Sequence, residues 1–391
     1  MTHLVILTGT RCAGKTYLAE RLGGTEFFEV QRITTRPPRS TDRGEYRYVT
    51  ESEYKKLRDG NKLAVATGYG EYLYGISLDA IVRAADSGKI PVLLVTPEAT
   101  SEITQRLSAT PWSAFSNVFT FFLDSDDETL DRRLRECRTS EDNLRWERKQ
   151  RAEDRKHRAG ALHVLKDPDP QAAISLMRDL VRLAGRAGGV HAGLISKMIA
   201  AGTLLTNADL SWVKGASYDL RMGDEYYYGG DIRYLDDRTQ ILRIEPYDYA
   251  IVTSRERALL PRDITGKFDL KVSLFAQGVI LSNGPQIDPG FEGPLFCLLF
   301  NTSSSPVLLK RGQHYATIDF IRLIEPTYSY QGTYQSKTLI SYLPPNAALG
   351  AINELKKELE ESRQSAQQLQ SWGWAIAALA LALLGTYLAI K

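Results

Sequence analysis

The hydrophobic residues of the first 183 positions form short apolar runs that alternate with amphipathic segments. Pro91–Val95 and Val118–Leu123 are typical of buried strands, whereas Asp126–Glu136 and Ala172–Leu183 carry apolar residues at helical spacing. Alternation of strands with helices is the pattern of a parallel sheet covered by helices. The sequence therefore predicts an α/β domain over residues 1–183.

The pattern changes after this segment. Ala184-Gly185-Arg186-Ala187-Gly188-Gly189 interrupts it, and we interpret residues 184–193 as a linker. Beyond the linker, brief apolar runs are separated by Gly, Pro and Asn, as at Tyr249–Thr253, Leu295–Phe300 and Tyr315–Leu323. Many short strands between turn residues predict an all-β domain, which we assign to residues 194–345.

Residues 350–371 show a heptad-like helical pattern. The apolar or small positions follow a 3,4,3,4,3 spacing, and Glu and Lys fill the outer positions; they are Ile352, Leu355, Leu359, Ser362, Ala366 and Leu369. Three heptads with Ser and Ala in the seam indicate a short coiled coil, and a single solvated helix is the alternative.

Trp372 to Ile390 is a stretch of 19 residues without a charge, followed by Lys391. This length is just enough for a helix to cross the hydrocarbon core of a bilayer. Trp372, Trp374 and Tyr387 lie near its ends, where interfacial aromatic residues belong. We therefore expect a transmembrane helix at 372–391 that anchors both globular domains on the cytoplasmic side, and a buried oligomerisation helix is the alternative.

Composition narrows the class of protein. The 391-residue chain is 25% charged and 43% hydrophobic, as soluble globular domains are, and its formal charge of +2 argues against a nucleic-acid partner. Cys12, Cys137 and Cys297 have no paired spacing. They indicate a reducing compartment, without a disulfide scaffold or a thiolate metal site.

Residues 9–16 read Gly-Thr-Arg-Cys-Ala-Gly-Lys-Thr and follow the apolar run Leu4–Leu7. This is the phosphate-loop spacing G-x-x-x-x-G-K-T in a strand–loop–helix setting. Gly9 and Gly14 let backbone N–H groups face phosphate oxygens, and Lys15 would reach the outer phosphates. Thr16 would place its hydroxyl on Mg²⁺. The pattern predicts binding of ATP with Mg²⁺.

Further motifs in this domain resemble those of the guanylate kinase family. They are Thr34-Thr35-Arg36-Pro37-Pro38-Arg39, Gly44-Glu45-Tyr46 and Tyr72-Leu73-Tyr74-Gly75. The resemblance implies that the forked donors Arg36 and Arg39 clamp an acceptor phosphate, assisted by Tyr46 and Tyr74. It also implies lid arginines that close over the transferring group, for which the candidates are Arg133, Arg138 and Arg148.

The residues that read guanine in that family are not matched here. Val65, Arg32, Leu94 and Thr96 stand where the family has an acidic residue, a serine and a D-x-D pair. A purine that lacks its hydrogen-bond partners loses orders of magnitude in discrimination. We therefore expect a kinase whose acceptor is another nucleoside monophosphate or a sugar phosphate, not GMP. A binding module without turnover is the alternative.

The second domain resembles the dCTP deaminase and dUTPase superfamily. The similar segments are Ala216-Ser217-Tyr218-Asp219-Leu220-Arg221-Met222-Gly223, Ile287-Asp288-Pro289-Gly290-Phe291 and Tyr330-Gln331-Gly332-Thr333-Tyr334-Gln335. The resemblance implies a β-barrel-like fold, a homotrimer with nucleotide sites between subunits, and a role for Tyr334 in substrate binding.

One departure decides the expected chemistry of this domain. The glutamate that deaminases place ten residues after the aspartate is Leu298 here, and a leucine cannot shuttle protons. We therefore expect no dCTP deamination. The resemblance to dUTPases implies that Asp288 contacts a deoxyribose and orients the attacking water, with Asp219, Lys271 and Ser273 as candidates on the phosphate or metal side. Binding without turnover, dUTPase-like hydrolysis and a structural trimer all remain open.

Together these patterns suggest a membrane-tethered nucleotide kinase fused to a deoxynucleotide-binding trimer domain. The alternative is a nucleotide-sensing membrane effector with little turnover, as in a stress or antiviral response. A dUTPase-like pyrophosphatase is a further alternative.

Overall fold

The computed structural model describes residues 2–40, 42–69, 71–108, 115–136, 141–284, 286–341, 343 and 349–390. The first half alternates strands and helices, as its hydrophobic pattern predicts. Its elements are β1 (Thr2–Gly9), α1 (Lys15–Leu22), β2 (Phe27–Glu29), β3 (Arg32–Thr34), β4 (Tyr46–Tyr48), α2 (Glu51–Asp59), β5 (Leu63–Tyr69), β6 (Tyr72–Ser77), α3 (Leu78–Asp86), β7 (Ile90–Leu94), α4 (Pro97–Ser108), β8 (Phe115–Asp124), α5 (Asp127–Glu136), α6 (Glu141–Lys156), β9 (His163–Lys166) and α7 (Pro170–Arg182).

The main sheet of this half is parallel, with strand order β2-β7-β1-β8-β9. Its central strand β1 is buried on both faces, and Leu4, Val5, Ile6 and Leu7 are fully inaccessible. This burial is the reason for the uninterrupted apolar run in the sequence. Loops that follow parallel strands meet at the carboxyl edge of the sheet, so the loop after β1 lies beside the end of β8.

A smaller sheet with strand order β4-β3-β6-β5 supports the acceptor motifs. Thr34 on β3 pairs with Tyr74 on β6 and with Tyr48 on β4. Helix α2 begins with a capping box between Thr50 and Glu53. The hydroxyl of Tyr54 on this helix donates to Tyr74 O at 2.7 Å, so the helix fixes the strand that carries Tyr74.

The second half is built mainly from antiparallel strands. Its elements are β10 (Gly188–Gly189), α8 (Ala192–Ala200), β11 (Leu204–Thr206), β12 (Ser217–Tyr228), β13 (Asp231–Tyr234), β14 (Ile241–Ile244), β15 (Tyr249–Leu259), β16 (Ile264–Leu270), α9 (Val272–Phe275), β17 (Val279–Ser282), β18 (Glu292–Asn301), β19 (Val307–Lys310) and β20 (His314–Arg322). The order β10-β20-β12-β15-β18-β17 forms its main sheet, with β11, β13 and β16 attached, and β14 pairs with β19. The all-β expectation for this half is confirmed.

The segment interpreted as a linker is integrated into the second half. Gly188 and Gly189 pair with Arg322 and Ile321 of β20, and Val190 N donates to Phe320 O at 2.9 Å. The glycines of this segment therefore form part of a sheet edge instead of a free connection.

The two halves share one continuous hydrophobic core. Lys166 N at the end of β9 donates to Gly202 O at 2.8 Å, and Asp169 N donates to Ala200 O at 3.0 Å. His163 is fully buried beside Asp263, and burial lowers its pKa to about 4. These contacts join the two halves directly.

A single long helix, α10 (Leu349–Ile390), contains both the heptad-like residues and the apolar stretch. Leu359 and Leu369 are exposed on it, and their pairing in a coiled coil stays a prediction. Within the part of the chain that the structure describes, no helix is long and apolar enough to span a bilayer. This finding does not support the expected transmembrane helix at 372–391.

Candidate active site

The phosphate loop connects β1 to α1 and has a strongly curved backbone. The φ angles are positive at Gly9 (128°), Cys12 (62°) and Gly14 (97°), and Gly14 caps the start of α1. A Cβ added to Gly9 would lie 2.0 Å from Leu123 O on β8, so a side chain cannot be accommodated there. The loop therefore turns directly over the end of β8 and presents the first N–H groups of α1, which have no partner within the helix, to an anion.

Lys15 is folded back over this loop. Its Nζ donates to Gly9 O at 2.8 Å and to Thr10 O at 2.7 Å. Removal from water lowers the pKa of Lys15 to about 8, although Asp154 and Cys12 oppose this effect. Thr16 lies exposed on the first turn of α1. The contact of Lys15 with phosphate and that of Thr16 with Mg²⁺ stay predictions.

An aspartate that sequence reasoning missed lies under the loop. Asp124, buried at the end of β8, accepts from Thr10 Oγ1 at 3.4 Å and from Arg155 Nε at 3.0 Å. Arg133 is also brought to the loop, where its Nη1 donates to Cys12 O at 3.2 Å. The signal for Asp124 was its position directly after the apolar run of β8, at the carboxyl edge where parallel strands place polar side chains.

The lid candidate Arg148 forms an ion pair with Asp131 of α5 in this structure. Arg148 Nε donates to Asp131 Oδ2 at 2.9 Å, and the Arg148 side chain is half exposed. Arg151 holds the other oxygen of the same carboxylate at 2.7 Å and is itself buried. Arg138 lies outside the described residues. A role for Arg148 as a lid residue that closes over the transferring phosphoryl group stays a prediction.

The acceptor motif forms a compact cluster on the smaller sheet. Arg36 is buried and makes two hydrogen bonds to Asp42, at 2.7 and 2.6 Å. This bidentate pair raises the pKa of Arg36 and holds the pKa of Asp42 well below its usual range. Arg39, by contrast, is exposed, and its backbone N–H donates to Asp42 at 2.7 Å. Asp42, which the sequence analysis did not single out, therefore fixes the orientation of Arg36.

Aromatic rings complete this cluster. The guanidinium carbon of Arg36 lies 4.6 Å from the ring centroid of Tyr46, and the rings of Tyr46 and Tyr74 meet edge to face at 6.2 Å. Arg32 packs on the same Tyr46 ring at 4.3 Å. The structure thus brings Arg36, Tyr46 and Tyr74 together, as expected, and adds Arg32 to them.

The other substituted positions supply no charge to this site. Val65 is buried within β5, and Leu94 is buried at the end of β7. Thr96 follows β7 and is exposed. The carboxyl end of β7 therefore offers no carboxylate at these positions to a base or a metal.

The donor set suits Mg²⁺ only as part of a nucleotide complex. Within the described ranges, no group of three or more His, Cys, Asp or Glu side chains could hold a metal ion. Asp124, at the carboxyl edge, is already bonded to Arg155. Thr16 is exposed on α1, and Mg²⁺ commonly keeps several waters and binds through substrate phosphates. Thr16 is thus compatible with the expected ion, with phosphates and water as the other ligands.

The second half contains a polar cluster around Asp219. Lys271 Nζ donates to Asp219 Oδ2 at 2.7 Å, and Thr317 Oγ1 donates to Oδ1 at 3.0 Å. Burial would raise the pKa of Asp219, but these two hydrogen bonds and the charges of Lys271 and Lys214 together lower it. Arg221 pairs at 2.6 Å with the fully buried Glu256. Asp219 is therefore paired with Lys271, and Arg221 is held separately.

The remaining predicted residues of this half lie on loops and short elements. Asp288 is partly buried and accepts from Gln286 Nε2 at 2.9 Å. Ser273 is exposed on α9, and Tyr334 is half exposed. Leu298 is partly buried on β18, where it pairs across the sheet with Ile251. The position expected to hold a proton-transfer group is therefore apolar in this fold.

Comparisons with known proteins agree with the division of the chain into an α/β first half and an all-β second half. The family model described as guanylate kinase matches residues 1–164, and that described as dCTP deaminase-like matches residues 192–323. The dCTP deaminase of Pyrococcus horikoshii is 37% identical over 128 residues, which are 32% of this chain and 81% of the relative. The dCTP deaminase of Thermococcus kodakarensis is 42% identical over 121 residues, covering 31% of this chain and 77% of the relative. The chain belongs to the dCTP deaminase family and carries a guanylate kinase domain fused before it.

A solved structure of guanylate kinase from Anaplasma phagocytophilum is also similar. It is 16% identical, covers 46% of this chain and 85% of that chain, and has a TM-score of 0.36.

We predict that ATP affinity falls as the pH rises above about 8. Lys15 is charged below its lowered pKa of about 8 and neutral above it, so its attraction for phosphate is lost in that range. The measurement is the dissociation constant of ATP between pH 7 and 9.5, with about tenfold weakening expected.

The Lys15→Arg variant should show no such weakening, because an arginine stays charged throughout. The same change at the exposed Lys55 is the matched control and should keep the pH dependence. An affinity that is flat with pH in the unmodified protein would contradict the assignment.

Proposed function

We propose that the first half is an ATP-dependent phosphotransferase that acts on a nucleoside monophosphate other than GMP. The observation that carries this proposal is the phosphate loop itself, with Lys15 held 2.8 and 2.7 Å from the carbonyls of Gly9 and Thr10. The matching family model over residues 1–164 and the cluster of Arg36, Tyr46 and Tyr74 support an acceptor phosphate beside it.

The reaction needs positioning and charge neutralisation more than covalent assistance. Loop N–H groups and Lys15 bind the triphosphate, and Arg133 is close enough to the loop to approach the same charge. Arg36 binds the acceptor phosphate, one of whose oxygens attacks the γ-phosphorus. The bond from the γ-phosphorus to the bridging oxygen breaks, and ADP leaves. Mg²⁺, when bound with the nucleotide through Thr16, supplies further neutralisation of phosphate charge.

Asp42 has a specific part in this scheme. An isolated buried guanidinium is costly, and the Asp42 carboxylate compensates its charge. A dianionic phosphate offers Arg36 a stronger partner in the same bidentate geometry. Binding of the acceptor therefore exchanges one charge pair for another.

We predict that the protein forms ADP and a nucleoside diphosphate when ATP is combined with a suitable monophosphate. Lys15→Ala should lower the rate at least about a hundredfold, because phosphate charge in the transition state is no longer neutralised. Product analysis by ion-exchange chromatography over a panel of monophosphates measures both effects, and Lys55→Ala is a control on the exposed helix α2. Absence of turnover with every monophosphate, or equal rates for Lys15→Ala and the unmodified protein, would refute the proposal.

For the second half we propose binding of a deoxynucleotide without deamination, within a homotrimer. Leu298 supports the absence of deamination, since its side chain has no proton to exchange with water or cytosine. A homotrimer is supported by apolar side chains that are exposed on α9 and β17, namely Val272, Phe275 and Ile280. Asp288 leaves hydrolysis of the dUTPase type as the second candidate for this domain.

We predict that dCTP raises the unfolding temperature of the full chain without releasing ammonia. A ligand at about 100 times its dissociation constant stabilises the folded state by roughly 2.7 kcal/mol. Lys271→Ala should abolish the shift by removing the cation at Asp219, whereas the exposed Lys267→Ala on β16 should retain it. Release of ammonia from dCTP at an enzymatic rate would contradict the proposal that this domain does not deaminate.

A further inference from the structure

Glu29 and Arg32 form a loose ion pair beside the acceptor cluster. Glu29 ends β2 and Arg32 begins β3, and Arg32 Nη2 lies 3.5 Å from Glu29 Oε1. Their side chains are only 20% and 16% exposed. A contact of this length is at the limit of a hydrogen bond, so the pair retains hydrogen-bonding capacity for another group.

The pair is close to the acceptor cluster of Arg36, Tyr46 and Tyr74. The guanidinium carbon of Arg32 is 4.3 Å from the Tyr46 ring centroid, and that of Arg36 is 4.6 Å from the same centroid. Arg32 also contributes to the lowered pKa of Lys15. Among the described residues, Arg32 Nε is buried without a hydrogen-bond partner. The Arg32–Glu29 pair is therefore adjacent to the clamp that would hold the acceptor phosphate.

The carboxylate makes this pair a poor site for a second phosphate. Burial raises the pKa of Glu29; the charge of Arg32 opposes this effect, and those of Glu45 and Glu20 add to it. Three acidic groups would repel a further anion, whereas a neutral group with both donors and acceptors would satisfy the pair. The heterocyclic base of the acceptor nucleotide is such a group.

The hydrogen-bonding pattern specifies which base fits. A guanidinium donates two parallel N–H bonds and a carboxylate accepts, so the pair offers two donors beside one acceptor. Cytosine has the complement on its Watson–Crick edge, with acceptors at O2 and N3 and a donor at the N4 amino group. Uracil differs because it has a donor at N3 and an acceptor at position 4, and it would leave both Glu29 and one arginine N–H unsatisfied.

We propose that Glu29 and Arg32 read the Watson–Crick edge of cytosine, so that the acceptor is cytidine or deoxycytidine monophosphate. This inference rests on the proposed phosphotransferase function and names its substrate class. Arg32 binds O2 and N3, Glu29 accepts from N4, and Arg36 holds the phosphate. The substitution at Arg32 thus replaces one base specificity with another.

The test is equilibrium binding of CMP, dCMP, UMP, GMP and AMP to the full chain, measured by calorimetry. We expect CMP or dCMP to bind at least about tenfold more tightly than UMP. Glu29→Gln should reduce the ratio of cytosine to uracil affinity by about tenfold or more, because a glutamine amide can donate to O4 of uracil. Glu26→Gln is the matched control, since Glu26 pairs with Arg182 at 3.4 Å and should leave the ratio unchanged.

Arg32→Ser provides a second variant and should remove the preference for cytosine while the unfolding temperature is retained. Tighter binding of another base, equal loss of affinity for all monophosphates in Glu29→Gln, or no binding of any of them would overturn the inference.

Phosphoryl transfer measured in parallel separates the two proposals. Preferential binding of cytosine nucleotides without transfer would support the base-reading pair and refute the kinase. Transfer to a different monophosphate would support the kinase and refute the base-reading pair.

Discussion

The close approach of Gly9 to Leu123 is the constraint on which the candidate site depends. The parallel pairing of β1 with β8 brings these two backbones together, and no Cβ fits between them. Because the chain turns at this point, the loop lies over the end of β8, with Lys15 folded above it and Asp124 below. Backbone contact between β1 and β8, and not a charged side chain, thus sets the position of the catalytic candidates.

Three cations at the proposed sites are each paired with a carboxylate. Arg36 is held by Asp42, Arg155 by Asp124, and Lys271 by Asp219. Each pair keeps a cation oriented while it lowers the cost of burying that charge. Lys15 differs, because two backbone carbonyls hold it and burial lowers its pKa. Phosphate binding would therefore give Arg36 a new anionic partner in place of Asp42 and raise the pKa of Lys15.

Local patterns were sufficient to predict much of this architecture. The phosphate loop depends on eight consecutive residues, and the alternation of strands and helices depends on burial within each element, so both are visible in the sequence. The all-β second half was predictable for the same reason.

Contacts distant in sequence were harder to predict. Arg155 and Asp124 are 31 residues apart, and their pairing depends on how α6 crosses the end of β8. The backbone pairing of Gly188 and Gly189 with β20 was hidden because flexible residues suggested a linker. The apolar stretch at 372–390 suggested a membrane span from length and composition, which the described helices do not support.

The proposed function depends on a phosphate loop whose shape requires glycine at position 9. The most direct measurement is the dissociation constant of ATP for Gly9→Ala, with unfolding followed in parallel by calorimetry. Gly88→Ala is the control, because Gly88 also has a positive φ, of 74°, but a Cβ there would meet no atom within 4 Å. We expect at least about a hundredfold loss of ATP affinity for Gly9→Ala alone, since the loop must move away from Leu123. Equal ATP affinity for Gly9→Ala and the unmodified protein would contradict it.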